Sequence, residues 1–110
     1  MSYNIIAVPS FRKELKKLSK KYASLKTDLS ELFDSLEKNP SQGTSLGRNC
    51  FKIRLAISSK GKGKRGGARV ITHIVVLENT LYLLSIYDKS DKDNLSDKEI
   101  EELLNQIIDE

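Results

Sequence analysis

Apolar residues recur along the first third of the chain at the three- and four-residue spacing of a helix face. Phe11, Leu15, Leu18 and Tyr22 mark one such face, and Leu25, Leu29, Leu32, Phe33 and Leu36 mark another after a break at "YAS". The residue before Pro40 is pushed out of helical space, which ends the second helix. A connection this short predicts an antiparallel helical hairpin. Ahead of it, "YNIIAV" reads as a short strand ended by Pro9, with Ser10 placed to cap the first helix. Downstream of "PSQGTSLGRN", which reads as a loop, the period changes to two. In "CFKIRLAI", Phe51, Ile53, Leu55 and Ile57 point one way, and Lys52 and Arg54 point the other. "ARVITHIVVL" and "LYLLSIYDK", separated by a turn at "ENT", form a predicted hairpin. The helical period then returns: Ser96 and Glu99 make a capping box, followed by a stripe of Ile100, Leu103, Leu104, Ile107 and Ile108.

The order β-α-α-β-β-β-α over residues 1–110 predicts one α+β domain. Its core is a small antiparallel sheet with the N-terminal helical hairpin on one face. With the hairpin running down and back up, the first strand should be antiparallel to "CFKIRLAI". The hairpin can cover one face only, leaving the other free to work.

Charge adds a direction to this picture. The net charge is +4, but residues 96–110 carry −5 and the remainder +9. A basic body with an acidic tail points to a polyanionic partner, most simply nucleic acid. Arg12, Lys13, Lys16, Lys17, Lys20 and Lys21 crowd the outer face of the first helix, a pattern that by itself reads as a solvated helix face. Cys50 is the single cysteine, which excludes an internal disulfide and reads as a small core residue. With one His and one Cys, a zinc site has too few ligands. The start "MSYNIIAVPSF" lacks the basic and apolar regions of a signal peptide, so a cytoplasmic location is expected.

The segment 58–68 contains Gly61, Gly63 and Gly66 in the spacing of a dinucleotide-binding turn. Such a turn needs a helix after it, to hold the pyrophosphate on its N-terminus. Here a β-branched strand follows, so the match is accidental. What remains is a hairpin loop bearing Lys60, Lys62, Lys64 and Arg65, expected to act as a mobile arm that tracks phosphates.

On the sheet face away from the helices, alternation places Lys52 and Arg54. Arg69 opens the next strand, whose two faces are both apolar further on, so its parity is ambiguous; Ser85, Tyr87 and Lys89 share one side of the last. Lys52, Arg54, Arg69, Tyr87 and Lys89 could therefore gather as a candidate anion site without a carboxylate. His73 shares Arg69's parity but is embedded in "VITHIVV", and is expected to be structural.

"CFKIRL", "GGARVITHIVV" and "LYLLSIYDKSDKDNLSDKEI", with the helical hairpin before them, resemble the RelE/ParE superfamily of type II toxins. "GKGKRGGARVI" followed by "YLLSIYDKSDKDNLSDKEI" is similar to its RelE-like toxins of the HigB type. The resemblance implies a cognate antitoxin and, in the RelE branch, cleavage of mRNA on the ribosome. Lys52 and Arg54 fall on the family's second-strand basic pair, Arg69 on its third-strand arginine, and Lys89 near the basic residue ending the fourth. The best-known branch carries a tyrosine further on, where this chain has Leu95 or a neighbour; Tyr87 is the substitute, from a different position. The chemistry is attack of a 2′-hydroxyl on the adjacent phosphodiester, with a base, charge stabilisation at phosphorus and an acid. Arginine cannot be the base. A lysine crowded by cations gives up its proton more readily, which makes Lys52 the base candidate. Arg54 and Arg69 would hold the phosphate, and Lys89 or Tyr87 would be the acid. Neither a metal nor a cofactor is called for. Two other readings stay open: a ParE-like inhibitor of DNA gyrase that cleaves nothing, and a plain nucleic-acid-binding module. The acidic C-terminal helix should pack at the sheet edge, leaving Lys52, Arg54 and Arg69 open for the antitoxin to block.

Overall fold

The computed structural model describes residues 3–92 and 94–108, the last by its backbone alone. The elements are β1 (Asn4–Ala7), α1 (Pro9–Lys21), α2 (Leu25–Lys38), β2 (Thr44–Gly47), β3 (Cys50–Leu55), β4 (Ala68–Val75), β5 (Thr80–Asp88) and α3 (Asp97–Ile108). Five strands form one sheet in the order β1-β5-β4-β3-β2, antiparallel throughout except for the parallel β1–β5 pair. This is the expected α+β architecture with one strand added. The addition, β2, lies inside the segment expected to be a loop. Arg48 and Asn49 both adopt positive φ (55° and 58°) and turn the chain tightly into β3.

The expected direction of the first strand is reversed. β1 is parallel to β5, and β5 runs the same way as β3 through the β3–β4–β5 meander. The reason is α1, which does not turn back after Pro9 but continues alongside β5. Val8 N–H donates to Leu83 O, Ser10 Oγ to Leu84 O, Ile86 N–H to Glu14 Oε1, and Tyr22 OH to Asp88 Oδ2. The helix thereby covers the β5 edge left unpaired where β1 ends, a position that would otherwise template aggregation. Burial pushes the Glu14 carboxyl up, against the opposing bonds from Ser85 Oγ and Ile86 N–H. Ser10 is not the cap it was expected to be. Val8 takes the N-cap position and Pro9 the first turn, where a missing N–H costs nothing.

Leu25, Leu29, Leu32 and Leu36 of α2 are buried with Ile53, Leu55, Val70 and Ile86 in the main core. Full burial of each such side chain contributes about 1.5–3 kcal/mol. The C-terminal stripe closes a second layer: Ile100 is buried, and Leu95, Leu103, Leu104 and Ile107 pack against the core; the side chain of Ile108 lies outside the described residues. The capping box forms as expected, with Ser96 N–H on Glu99 Oε1 at 3.0 Å and Glu99 N–H on Ser96 Oγ at 3.1 Å. Among the described residues no helix is long and apolar enough to cross a membrane.

Candidate phosphate-binding site

Residues directly opposite in a ladder share a sheet face. Arg54 faces Arg69, and Arg69 faces Tyr87; one row along, Lys52 faces Ile71 and Ile71 faces Ser85. The parity of Arg69, ambiguous in the sequence, is thus decided by register: it lies on the face of Lys52 and Arg54. At the end of that face, Arg54, Arg65, Arg69 and Lys89 line a cavity of about 300 Å³. Four cations with no carboxylate in the lining suit an anion with several oxygens. The forks of Arg54 and Arg65, both exposed, can take two of those oxygens each.

The two central arginines differ in their surroundings. Arg54 is exposed, whereas Arg69 is 2 % exposed. Arg69 Nη1 donates to Lys64 O at 2.9 Å and to Ala68 O at 3.1 Å, which draws the glycine-rich segment down onto the sheet. That segment is therefore not the free arm expected of it. It folds as two 3-10 turns, Ser58–Lys60 and Lys64–Gly66, and forms one wall of the cavity. Its return into β4 requires Gly67, where a Cβ would stand 2.0 Å from Leu55 O.

The other expected site residues divide. Lys89 lines the cavity, and its N–H donates to Gly67 O at 3.0 Å. Arg65, expected only as a phosphate contact of the arm, joins the central group, while Lys62 and Lys64 are exposed. Lys60 turns inward to Asp88 at 2.7 Å. Tyr87 lies in the Arg69 row but is buried, with Lys92 Nζ 5.2 Å from its ring centroid. Lys52 stays outside the cavity lining, and its Nζ donates to Asn94 Oδ1 at 2.8 Å. Asn94 belongs to the segment leading into α3, and Ser85 lines a cleft with Leu95 and Leu103. The C-terminal segment thus crosses the face that was expected to stay open. Lys52 is partly covered by it, and Arg69 by the loop. His73 sits at the far end of the sheet, opposite Cys50, with Nδ1 3.5 Å from the thiol. Burial lowers its pKa, against opposing bonds to the Arg48 and Asn49 backbone, which favours the neutral ring.

Two carboxylates escaped the sequence reading. Asp88 is fully buried at the end of β5. Burial alone would raise its pKa, but bonds from Lys60, Tyr22 and Ser90 outweigh that and hold it far below the usual carboxylate range. Asp28 accepts from Ser58 N–H and Oγ and from Ser24 Oγ; these bonds likewise overcome burial and lower its pKa. Asp88 follows an apolar run, a pattern common on exposed turns, and Asp28 stands in the mixed polar sequence "LKTDLSEL", so neither gave a signal of its burial.

The α+β sheet with its helical hairpin is shared with solved structures of a toxin. A double Arg-to-Ala variant of E. coli toxin RelE in the free state superposes with TM-score 0.63 at 15% identity, covering 97% of this chain and 99% of that one. The same variant in complex with an antitoxin RelBc peptide gives TM-score 0.62 at 15% identity, with 93% and 94% covered. The isolated E. coli RelE toxin gives 0.52 at 20% identity, with 96% and 99% covered. Residues 10–107 match the family model described as RelE toxin of the RelE/RelB toxin-antitoxin system, and the chain belongs to that family of type II toxins.

Proposed function

We propose that this toxin arrests translation by cutting mRNA on the ribosome, and that the cavity lined by Arg54, Arg65, Arg69 and Lys89 holds the scissile phosphodiester. The observation that carries the reading is the composition of this cavity: four cations and no acid, on the sheet face away from the helical hairpin. Charge builds on the non-bridging oxygens as the 2′-hydroxyl attacks phosphorus, and guanidinium donors aimed at them stabilise that state. Lys52, one row along the same face, takes the hydroxyl proton, and Lys89 delivers one to the leaving 5′-oxygen. Tyr87 supports Arg69 from the neighbouring strand. Lys62 and Lys64 extend the positive surface toward the flanking phosphates. A cognate antitoxin that covers this face would silence the site. The whole chain acts as one unit, in the cytoplasm where its substrate is translated.

The test is to express the chain without a partner and map RNA ends on translated messages. New 5′ ends within translated codons are expected. Intact messages together with trapped gyrase–DNA complexes would move the protein to the gyrase-inhibiting branch.

A further inference from the structure

Asp88 closes β5 with its side chain fully buried, an expensive place for a lone carboxylate. It is surrounded by donors. Lys60 Nζ lies 2.7 Å from Oδ1, Tyr22 OH 2.5 Å from Oδ2, and Ser90 N–H and Oγ 3.0 and 2.8 Å from Oδ1. The Lys60 side chain is itself 12 % exposed, with its ammonium 5.5 Å from the centroid of the Tyr22 ring. None of Asp88, Lys60, Tyr22 or Ser90 lines the cation-lined cavity, so this cluster lies outside the site described above.

Its position gives it a use. The basic loop leaves the body at Lys60, at the end of the turn Ser58–Lys60, and returns at Gly67. The first foot is held by the Asp88 side chain, and the second by Lys89 N–H on Gly67 O. Two consecutive residues therefore hold both feet of the loop, and the second of them lines the cavity. Arg54 and Arg69 are positioned by the β-ladder. Arg65 lies between the feet, beside Lys64, whose carbonyl Arg69 Nη1 holds at 2.9 Å, so its place over the cavity depends on that bond and on where the feet are set.

We propose that the Lys60–Asp88 pair is a clasp that positions the catalytic cavity, setting the basic loop over Arg54 and Arg69 so that Arg65 and Lys89 close on one phosphate. The proposal rests on the nuclease reading for what the cavity does. The clasp itself rests on the contacts alone. Lys60 and Asp88 are positioning residues: they touch loop and sheet, and act on RNA through Arg65 and Lys89.

The test uses the full chain as K60M, K60R, D88N and the K60M/D88N double variant. Amide hydrogen exchange at Gly61, Gly67 and Lys89, whose N–H groups bond Ile57 O, Lys64 O and Gly67 O at the two feet, is measured on the free protein, and kcat and KM for message cleavage are measured on programmed ribosomes. K60M should exchange about tenfold faster at these amides, because its foot is released. Its kcat should fall by roughly 10- to 100-fold, as expected for small misplacements of a binding group, with KM within about twofold. K60R, which keeps the charge and a donor for Asp88, should restore most of both. The double variant should be no slower than the worse single one, since both remove the same contact. D88N reads the same contact from the other side if K60M does not fold. Wild-type exchange in folded K60M or D88N overturns the clasp. So does a K60M defect confined to KM, which would make Lys60 a direct phosphate contact. A wild-type protein that cuts no message sinks the nuclease reading, while the exchange measurements still decide the clasp.

Discussion

Arg54→Ala and Arg69→Ala should abolish the same activity at very different costs to the fold. Each removes a charged fork from the cavity. Losing one preorganised donor to a developing oxyanion costs roughly 2.7–4 kcal/mol in the transition state, or about 10²–10³ in rate. Arg54 is exposed, so its replacement should change stability by less than ~0.5 kcal/mol. Arg69 is 2 % exposed, and its Nη1 serves both Lys64 O and Ala68 O. Its loss removes two hydrogen bonds from a charged donor, each worth about 1.5–3 kcal/mol net, and opens a void under the loop. Release from Arg54, directly opposite, returns part of this. A net loss of about 2–3 kcal/mol is expected, which lowers Tm by roughly 10–20 °C for a domain of this size. Thermal melts by circular dichroism and single-turnover cleavage on programmed ribosomes, with wild type alongside, separate the two effects. Arg69→Lys should keep part of the stability and little of the activity, because the fork is lost. An Arg69→Ala protein that melts with the wild type would refute the assignment of Arg69 as the loop's anchor. An Arg54→Ala protein that cuts at the wild-type rate would remove Arg54 from the site.

Three further outcomes are expected. Lys52→Ala should lose about 10²–10⁴ in rate with Tm unchanged, while Asn94→Ala, which only removes the partner of Lys52 Nζ, should stay within a few-fold; a fully active Lys52→Ala excludes it as the base. Asp88 has a folded-state pKa below its unfolded value, so its contribution is complete above the unfolded pKa of about 3.9 and is lost as pH falls toward the folded one. The Tm advantage of wild type over Asp88→Asn should therefore be largest at neutral pH and shrink below about pH 4, and a constant gap down to pH 2.5 would contradict this. Gly67→Ala places a Cβ 2.0 Å from Leu55 O, so β3 and β4 must part; a loss of roughly 1–3 kcal/mol is expected in chemical denaturation, together with reduced cleavage.

Much of this protein was legible from local periodicity. Both helices of the hairpin, the β3–β4–β5 meander and the Ser96–Glu99 capping box follow from side-chain spacing over a few residues, which is all that backbone geometry requires. The pairing of Lys52 with Arg54 on one face follows for the same reason, because alternation along one strand needs no knowledge of its neighbours. The resemblance of "GGARVITHIVV" and its flanks to a toxin family likewise depends on residue order alone.

Tertiary structure decided what depends on contacts between distant segments. β2 has no strong alternation and exists because a two-residue turn at Arg48 and Asn49 lays it against β3. β1 runs parallel to β5 because α1 continues along β5, which no count of chain reversals could reveal. The parity of Arg69 came from ladder register, and its burial from a loop that folds over it. Lys60 looked like any other cation of a glycine-rich loop, yet a buried aspartate 28 residues away turns it inward. Local spacing tells a side chain which way to face. Whether that face meets water, a phosphate or a buried carboxylate is decided by whatever the rest of the chain places opposite it.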